Sequence, residues 1–509
     1  MISQAFIDWA NQDGLQRVVV ATCTLTRRSD GQPLVLRIAD GAPLSGTWDG
    51  QNNWENCIKA MPEINYRAQA LDRGESMASR GQLVLATDSR AKLGPDGDLS
   101  WDRIKSEYRW AGGAFQALVG GPDLPFADWA LAHSGFMGRA SHTDTQTVVP
   151  ICGPAEAIRK TTIPPNTYGD EVPEASRGKQ KPFCLGYPKN ISPVLIGENP
   201  WIYQGHDPAY GPVQGIPVVR VNGAVQASGF TTNLTNATIS FPAAPQGQVT
   251  ADMQGWVRGG VYLQSAPQIM QALLDEFGPA GISLDAAGFA AAVSAAPWPV
   301  AKHLTSQAQL QTVLDDLCKG LPLLWTDDLL GRLTAFLVEP PTGTPDLEVW
   351  DGYQANPPYG SVIGYKWKTE PSKLWLSKVT MYGDRNWTTM NPETVSAADL
   401  AWLGEQWRSR AVVTSAPADN AFTEEAEYES GLVSLADCQT AAGLMADLHG
   451  QERKLVTFDS LYAGLKLRLG SVVRVVRGCW GMESGWLGVV VGLSLRLPHL
   501  AQVTLWGAI

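Results

Sequence analysis

Lys181-Pro182-Phe183-Cys184-Leu185-Gly186-Tyr187-Pro188-Lys189-Asn190-Ile191-Ser192-Pro193-Val194-Leu195-Ile196, followed by Tyr203-Gln204-Gly205-His206-Asp207, is the stretch on which the reading of this chain turns. Downstream of it Val218–Val221, Asn222-Gly223 and Ala224–Ala227 read as a β-hairpin, because Asn-Gly readily takes the positive φ angles of a type I′ turn. Thr238–Phe241 and Gln248–Met253 supply two more strands. Upstream, Pro150, Pro154, Pro164, Pro165 and Pro173 make residues 150–180 a polar, Pro-rich linker or arm. The sequence therefore predicts one β-rich unit over 151–255, entered through that arm.

Working outward, residues 1–150 form a β-rich N-terminal domain. A short helix is expected over Gln4–Asn11, then strands at Val18–Thr26, Pro33–Ile38, Gln82–Thr87 and Gly113–Val119. Residues 256–350 change period and read as an α/β insertion. Ser265 caps a helix with Pro267 in its first turn, and Gly278 stops it. A second helix starts at Thr305 or Ser306 and carries Leu310, Val313, Leu314 and Leu317 on one stripe. Leu321–Thr326, Asp327-Asp328 and Arg332–Val338 then make a hairpin. Residues 351–509 open with strands at Val362–Lys368 and Leu374–Tyr382, followed by helices near 396–411 and 434–449. Leu465, Leu467 and Leu469 alternate with Lys466 and Arg468, the two-residue period of a half-buried strand. Val472–Val475, Trp486–Leu495 and Ala501–Trp506 complete a barrel-like C-terminal domain. The class is mainly β with α+β parts, in several domains.

The bulk numbers agree with that class and narrow the function. A chain of 509 residues is too long for one core. With 44% hydrophobic and 17% charged residues it is globular, and no stretch approaches the apolar length of a membrane helix. Met1-Ile2-Ser3-Gln4-Ala5 has neither the basic start nor the apolar run of a signal peptide, which favours assembly in a cytoplasm. The net charge of −11 argues against a surface that grips nucleic-acid phosphates, and is compatible with a channel that DNA passes without sticking. Cys23, Cys57, Cys152, Cys184, Cys318, Cys438 and Cys479 are odd in number and widely spaced, the pattern of buried thiols rather than a disulfide framework or a metal clip.

The 181–207 block resembles one found in the hub (baseplate or tail-tip) proteins of long-tailed bacteriophages and phage-like gene transfer agents. There a Lys-Pro…Gly…Asn-Ile/Val-Ser-Pro-Val-Leu-Ile run precedes a Tyr-Gln-x-His-Asp turn and a strand ending in Asn-Gly. Three further segments resemble the family in the same order. They are Gly81–Ala86 with Asp98-Leu-Ser-Trp-Asp102, the helix–helix–hairpin ending in Gly331-Arg332-Leu333, and the closing run from Leu467-Arg-Leu-Gly-Ser to Val503-Thr-Leu-Trp-Gly507. The resemblance implies tail-tube-like β-barrels, two per subunit, in a homotrimer that imitates a six-fold ring. The implied partners are the distal tail protein, the tape-measure protein and the central tail fibre or tip protein. DNA would pass through the lumen without specific binding, and the location would be the virion. Residues 1–150 and 351–509 are the expected ring interfaces. Family members with an iron–sulfur site have clustered cysteines near the C-terminus; here only Cys438 and Cys479 lie there, so no cluster is carried over.

Chemistry is sparse. No G-x-S-x-G, H-E-x-x-H, P-loop or G-x-G-x-x-G motif occurs. Asp96, Asp98, Ser100, Asp102 and Glu107 match several ligand positions of a calcium loop, yet Trp101 sits where the sharp turn needs Gly, so a solvated hairpin turn is the favoured reading. His206-Asp207 is a base-and-orienter pair without a nucleophile, and a structural role is expected. Asp315-Asp316 and Asp327-Asp328 are expected to be solvated, on a helix face and at a hairpin tip. Trp325, Trp375, Trp407 and Trp506 are expected in cores or between subunits. The sequence thus assigns no catalytic, cofactor or metal residue. It favours a structural hub over a carbohydrate-binding receptor protein or a tail-associated cell-wall hydrolase.

Overall fold

Valine-rich, β-branched sequence drives the N-terminal strands, and their pairing closes a barrel. In the computed structural model, which describes residues 2–10, 12, 15–40, 54–70, 75–88, 92–93, 99–351, 362–391, 395–415, 422–460, 465–496 and 500–508, strand Val18–Arg27 lies between Pro33–Asp40 and Ala114–Gly120. The ladder continues through Ala130–Met137 and Gln146–Cys152 to Gln82–Ala86. Residues 55–60 seal it: Glu55–Asn56 pairs in parallel with Ile38 and Ala39, and Ile58–Ala60 pairs with Gln82–Ala86. Val19, Ala21, Cys23 and Leu25 are fully buried, and helix Gln4–Ala10 adds Phe6, Ile7 and Trp9 to the same core.

A second barrel closes at the other end of the chain. Leu347–Asp351 pairs in parallel with Val362–Pro371, which pairs with Arg453–Ser460, then Leu500–Ala508, then Trp486–Arg496. Val472–Val476 bridges Trp486–Arg496 back to Leu347–Asp351 and completes the ring. In the second ring, pairing runs all the way round among the described residues, whereas the seam of the first is crossed by the continuous segment 55–60.

One bent ribbon joins the barrels. Ile58–Ala60 runs on into Glu63–Ala70, and Glu75–Arg80 runs on into Gln82–Ala86. The near half of this ribbon is wall of the first barrel. The far half pairs with Gly492–Arg496, while Trp486–Val489 of the same strand seals the second barrel. The bend is held by Gly81 N–H donating to the Glu63 carbonyl at 2.8 Å. A single apolar core accordingly contains Val19 and Val119 together with Val456 and Leu505.

In the sequence between the two barrels lie smaller units. Val194–Glu198, Trp201–Gln204, Thr238–Phe241 and Thr231–Asn233 form one sheet, and Val213–Val221 with Val249–Arg258 forms another over a shared core. The Asn222-Gly223 turn is type I′, with φ of 50° and 81°. A Cβ at Gly223 would meet Leu403 Cδ1 at 2.7 Å, so the turn is packed against its neighbour. Helix Ala266–Phe277 starts where Gln268 Oε1 accepts from Ser265 N–H and stops at Gly278. Helices Ala286–Ala295 and Leu310–Cys318 and the hairpin Leu323–Asp327/Arg332–Leu337 follow. Strand Leu376–Arg385, flanked by Trp407–Thr414 and Glu424–Glu429, is covered by helix Leu435–His449.

Several sequence expectations need correcting. The helix expected from Thr305 or Ser306 begins at Leu310, because Ala301–Leu304 pairs with Phe183–Gly186 and Ala308–Gln309 pairs with Thr162–Ile163. The helix expected over 396–411 is Ala397–Leu403; Gly404 ends it, and the β-branched Trp407–Thr414 becomes a strand. Leu465, Leu467 and Leu469 are buried as alternation requires, but they lie outside any strand, in an irregular segment laid across the core. Helix Ala286–Ala295 had no apolar stripe to announce it, since six of its ten residues are alanine. The Pro-rich 150–180 segment is packed against the body, with Ile158 and Ile163 fully buried beside Leu310 and Leu314.

Candidate functional site: the ion-paired junction of the two barrels

The largest correction concerns Asp327-Asp328. The hairpin that carries them inserts between the barrels instead of projecting into solvent. Asp327 Oδ2 accepts from Arg80 Nη2 at 2.5 Å, and both side chains are fully buried. Arg80 stands at the bend of the ribbon, and its guanidinium lies over the Tyr66 ring, 5.5 Å from the centroid. Tyr66 O–H lies 3.3 Å from His133 Nδ1 and 3.2 Å from the Asp328 carbonyl. Ser134 N–H donates to the Leu329 carbonyl at 2.9 Å, so the hairpin tip hydrogen-bonds the wall of the first barrel. Asp328 is itself held by Arg332, with contacts of 2.9 and 2.6 Å. Arg332 and Arg468 also approach the buried Asp285, at 3.4 and 3.8 Å.

Electrostatics at this junction follow burial. Desolvation raises the Asp327 carboxyl above its ordinary range, and the facing Arg80 opposes that rise. His133 is held neutral, its pKa pushed well below the usual value by burial first and by Arg80 second. A Cβ at Gly153 would overlap both Arg80 Nη1 and Asp327 Oδ2, so the ion pair occupies the space that only glycine leaves open. A cavity of about 240 Å³ adjoins the pair, walled by Tyr66, Asp285, Gly288, Asp328, Phe336 and Arg468. Each of these carboxylates faces an arginine, so the arrangement stores paired charge at a joint.

The other sequence candidates fall elsewhere. His206 and Asp207 are both buried and do not act on each other. His206 Nδ1 accepts from Cys184 N–H at 3.1 Å and its ring stacks on Phe183, while Asp207 accepts from Ala209 N–H and from Asn166 Nδ2 at 2.7 Å. Burial pushes the His206 pKa down to about 3 and that of His303 to about 4. The pair is therefore a structural pin for the 183–186 strand. Asp315 accepts from Trp325 Nε1 at 2.8 Å, and Asp316 pairs with Lys302. Asp96 and Asp98 lie outside the described residues. Ser100 caps helix Trp101–Glu107, and Glu107 pairs with Arg103 at 3.0 Å, so these two are engaged within the helix. Trp325 and Trp506 are core residues, and Trp375 and Trp407 are half-buried. Among the described residues no cluster of three or more His, Cys, Asp or Glu is arranged to hold a metal, and no helix is long and apolar enough to cross a membrane.

Sequence reasoning missed a second polar knot, centred on Asn190 and Asp252. Asp252 accepts from Arg220 at 2.6 and 2.9 Å and from Asn190 N–H at 2.8 Å. Asn190 Nδ2 donates to Asn386 Oδ1 at 2.8 Å and to the Thr388 carbonyl at 2.7 Å. The signal was present in the quoted block, where Asn190 takes a positive φ of 55°, but its partners lie 196 and 198 residues away.

Neither a protein-family model nor a curated protein sequence matches this chain. Among solved structures it is similar to the 43 kDa tail protein of prophage MuSo2 from Shewanella oneidensis, with 10% identity, 96% of each chain covered and a TM-score of 0.38. It is also similar to a tail protein from Neisseria meningitidis MC58, with 9% identity, coverage of 96% and 95%, and a TM-score of 0.36. A chain of a native gene transfer agent virion aligns with 12% identity over 68% of this chain and 88% of its own, at a TM-score of 0.41.

Proposed function

We propose that this chain is a structural hub of a bacteriophage tail tip, which joins a six-fold tail tube to a three-fold tip as a homotrimer. The observation that supports this reading best is the presence of two barrel-like β-sheets in one chain, locked to each other by the shared strand Trp486–Arg496 and the ribbon 58–86. Three such chains around an axis present six barrels, which matches a hexameric tube above while keeping three-fold symmetry below. The block at 181–207 and its family resemblance point the same way.

On this reading the ion-paired junction has a mechanical task. It fixes the angle between the barrels while tape-measure protein and DNA leave through the lumen. The net charge of −11 suits a wall that DNA must pass without binding. The partners are the distal tail protein above, the tape-measure protein within and a central fibre or tip protein below; the role is non-enzymatic and the location is the virion. Sedimentation velocity of the purified chain, alone and mixed with the distal tail protein, tests this. A species of three times the 54.9 kDa chain mass, alone or on the ring, supports it. A monomer that ignores the ring overturns it.

A further inference from the structure

Two adjoining clefts on the middle of the chain run against its overall charge. Ser192, Lys302, His303, Arg385, Trp387 and Thr388 line one, of about 490 Å³. Lys179, Gln180 and Tyr203 line the other, of about 810 Å³, and Ser192, Thr305 and Ser306 are common to both. Among the described residues no Asp or Glu lines either cleft, in a chain whose acidic residues exceed its basic ones by 11.

The first cleft is built for a ligand it does not supply itself. Arg385 has no carboxylate partner among the described residues; its guanidinium sits over Trp387 at 4.5 Å and Trp407 at 5.5 Å. Arg385 Nε, Trp387 Nε1 and His303 Nε2 are each buried without a hydrogen-bond partner. Leaving a buried polar atom unpaired costs about 1–3 kcal/mol, so the Arg385 guanidinium and the Trp387 indole carry donor capacity that the chain does not use. Lys302 is neutralised by Asp316, which leaves Arg385 as the uncompensated charge. The walls are fixed in advance. Asn386 Nδ2 donates to the Leu403 carbonyl at 2.7 Å, Trp387 N–H donates to the Lys189 carbonyl at 3.2 Å, and Asn190 holds the Thr388 carbonyl.

We infer that this cleft binds an acidic sugar, with the carboxylate on the Arg385 guanidinium, which the Trp387 ring holds in place, and the ring hydroxyls on Ser192, Thr305, Ser306 and Thr388. Arg presents a planar fork that matches a carboxylate. The hydroxyl-rich remainder suits a hydroxylated body better than an apolar one, and the second cleft gives room for further sugar units. This site stands apart from the barrel junction, with no lining residue in common with the cavity there.

Isothermal titration of the full chain with D-glucuronate, D-glucose, inorganic phosphate and a hexaglutamate peptide tests the assignment, alongside Arg385→Met and Trp387→Phe. The expected result is that glucuronate binds at least about tenfold tighter than glucose or phosphate. Each substitution should weaken it by about tenfold or more while the thermal transition of the chain is kept. The assignment is overturned if no probe binds, if phosphate or hexaglutamate binds as well as glucuronate, or if glucuronate binding survives both substitutions. Two variants are used because either alone could perturb the Arg385–Trp387–Trp407 stack.

Discussion

Asp327→Asn isolates the joint between the barrels. The substitution keeps the shape of the side chain and removes its charge, leaving the Arg80 guanidinium buried with no opposite charge at 2.5 Å. Arg80 cannot shed its proton, so the cost is that of breaking a buried pair, about 3–5 kcal/mol. Replacing both members by apolar residues, Arg80→Met with Asp327→Leu, removes both desolvation costs together and should restore stability to within about 1 kcal/mol of the parent, or exceed it. Urea unfolding, followed by hydrogen exchange at Gly81 and Ile151, reads the effect locally, because a multidomain chain has no single two-state transition. The double-mutant cycle should show a coupling of about 3 kcal/mol or more. The reasoning fails if Asp327→Asn costs less than about 1 kcal/mol, or if the double variant loses the sum of the two single losses.

Gly153→Ala introduces a methyl into the space held by Arg80 and Asp327, and should cost about 1–3 kcal/mol in urea unfolding; its added cost should be smaller in an Arg80→Ala background than in the parent chain. Asp252→Asn breaks the buried Arg220 pair and weakens acceptance from Asn190, with an expected loss of about 3–5 kcal/mol and faster proteolysis near the 186–193 turn. The chain should be acid-labile: His206 and His303 have folded pKa values depressed to about 3 and about 4, so their contribution is present above the unfolded value near 6.5 and is lost as pH falls. At pH 5 each contributes a loss of about 2 kcal/mol relative to pH 7.5, and urea midpoints unchanged between those values would contradict it.

Much of the β framework was legible because its signals are local. The Asn222-Gly223 turn needs only two residues with positive φ, and strands such as Val18–Arg27 and Trp486–Arg496 are written in β-branched runs. The junction was not legible, because its meaning depends on pairing across 247 residues: Asp327 is solvated at an isolated hairpin tip and buried once Arg80 of the ribbon reaches it. The same distance problem hid the Asn190–Asn386 link. Leu465, Leu467 and Leu469 show the converse limit, since a period of two records which side chains face the core and not whether the backbone pairs. The acidic-sugar cleft left no motif, because its walls come from residues 192, 302–306 and 385–388 brought together by the middle sheets.

If the chain is a hub, each copy contributes two barrels to a six-barrel ring, and electron cryomicroscopy of the chain mixed with a distal tail protein would show it. The expected image has three copies around one axis, with the 18–152 and 347–508 barrels alternating at near-equal radius and both contacting the hexameric ring above. Copies in which only one barrel of each chain reaches the ring, or in which the count departs from three, would contradict it.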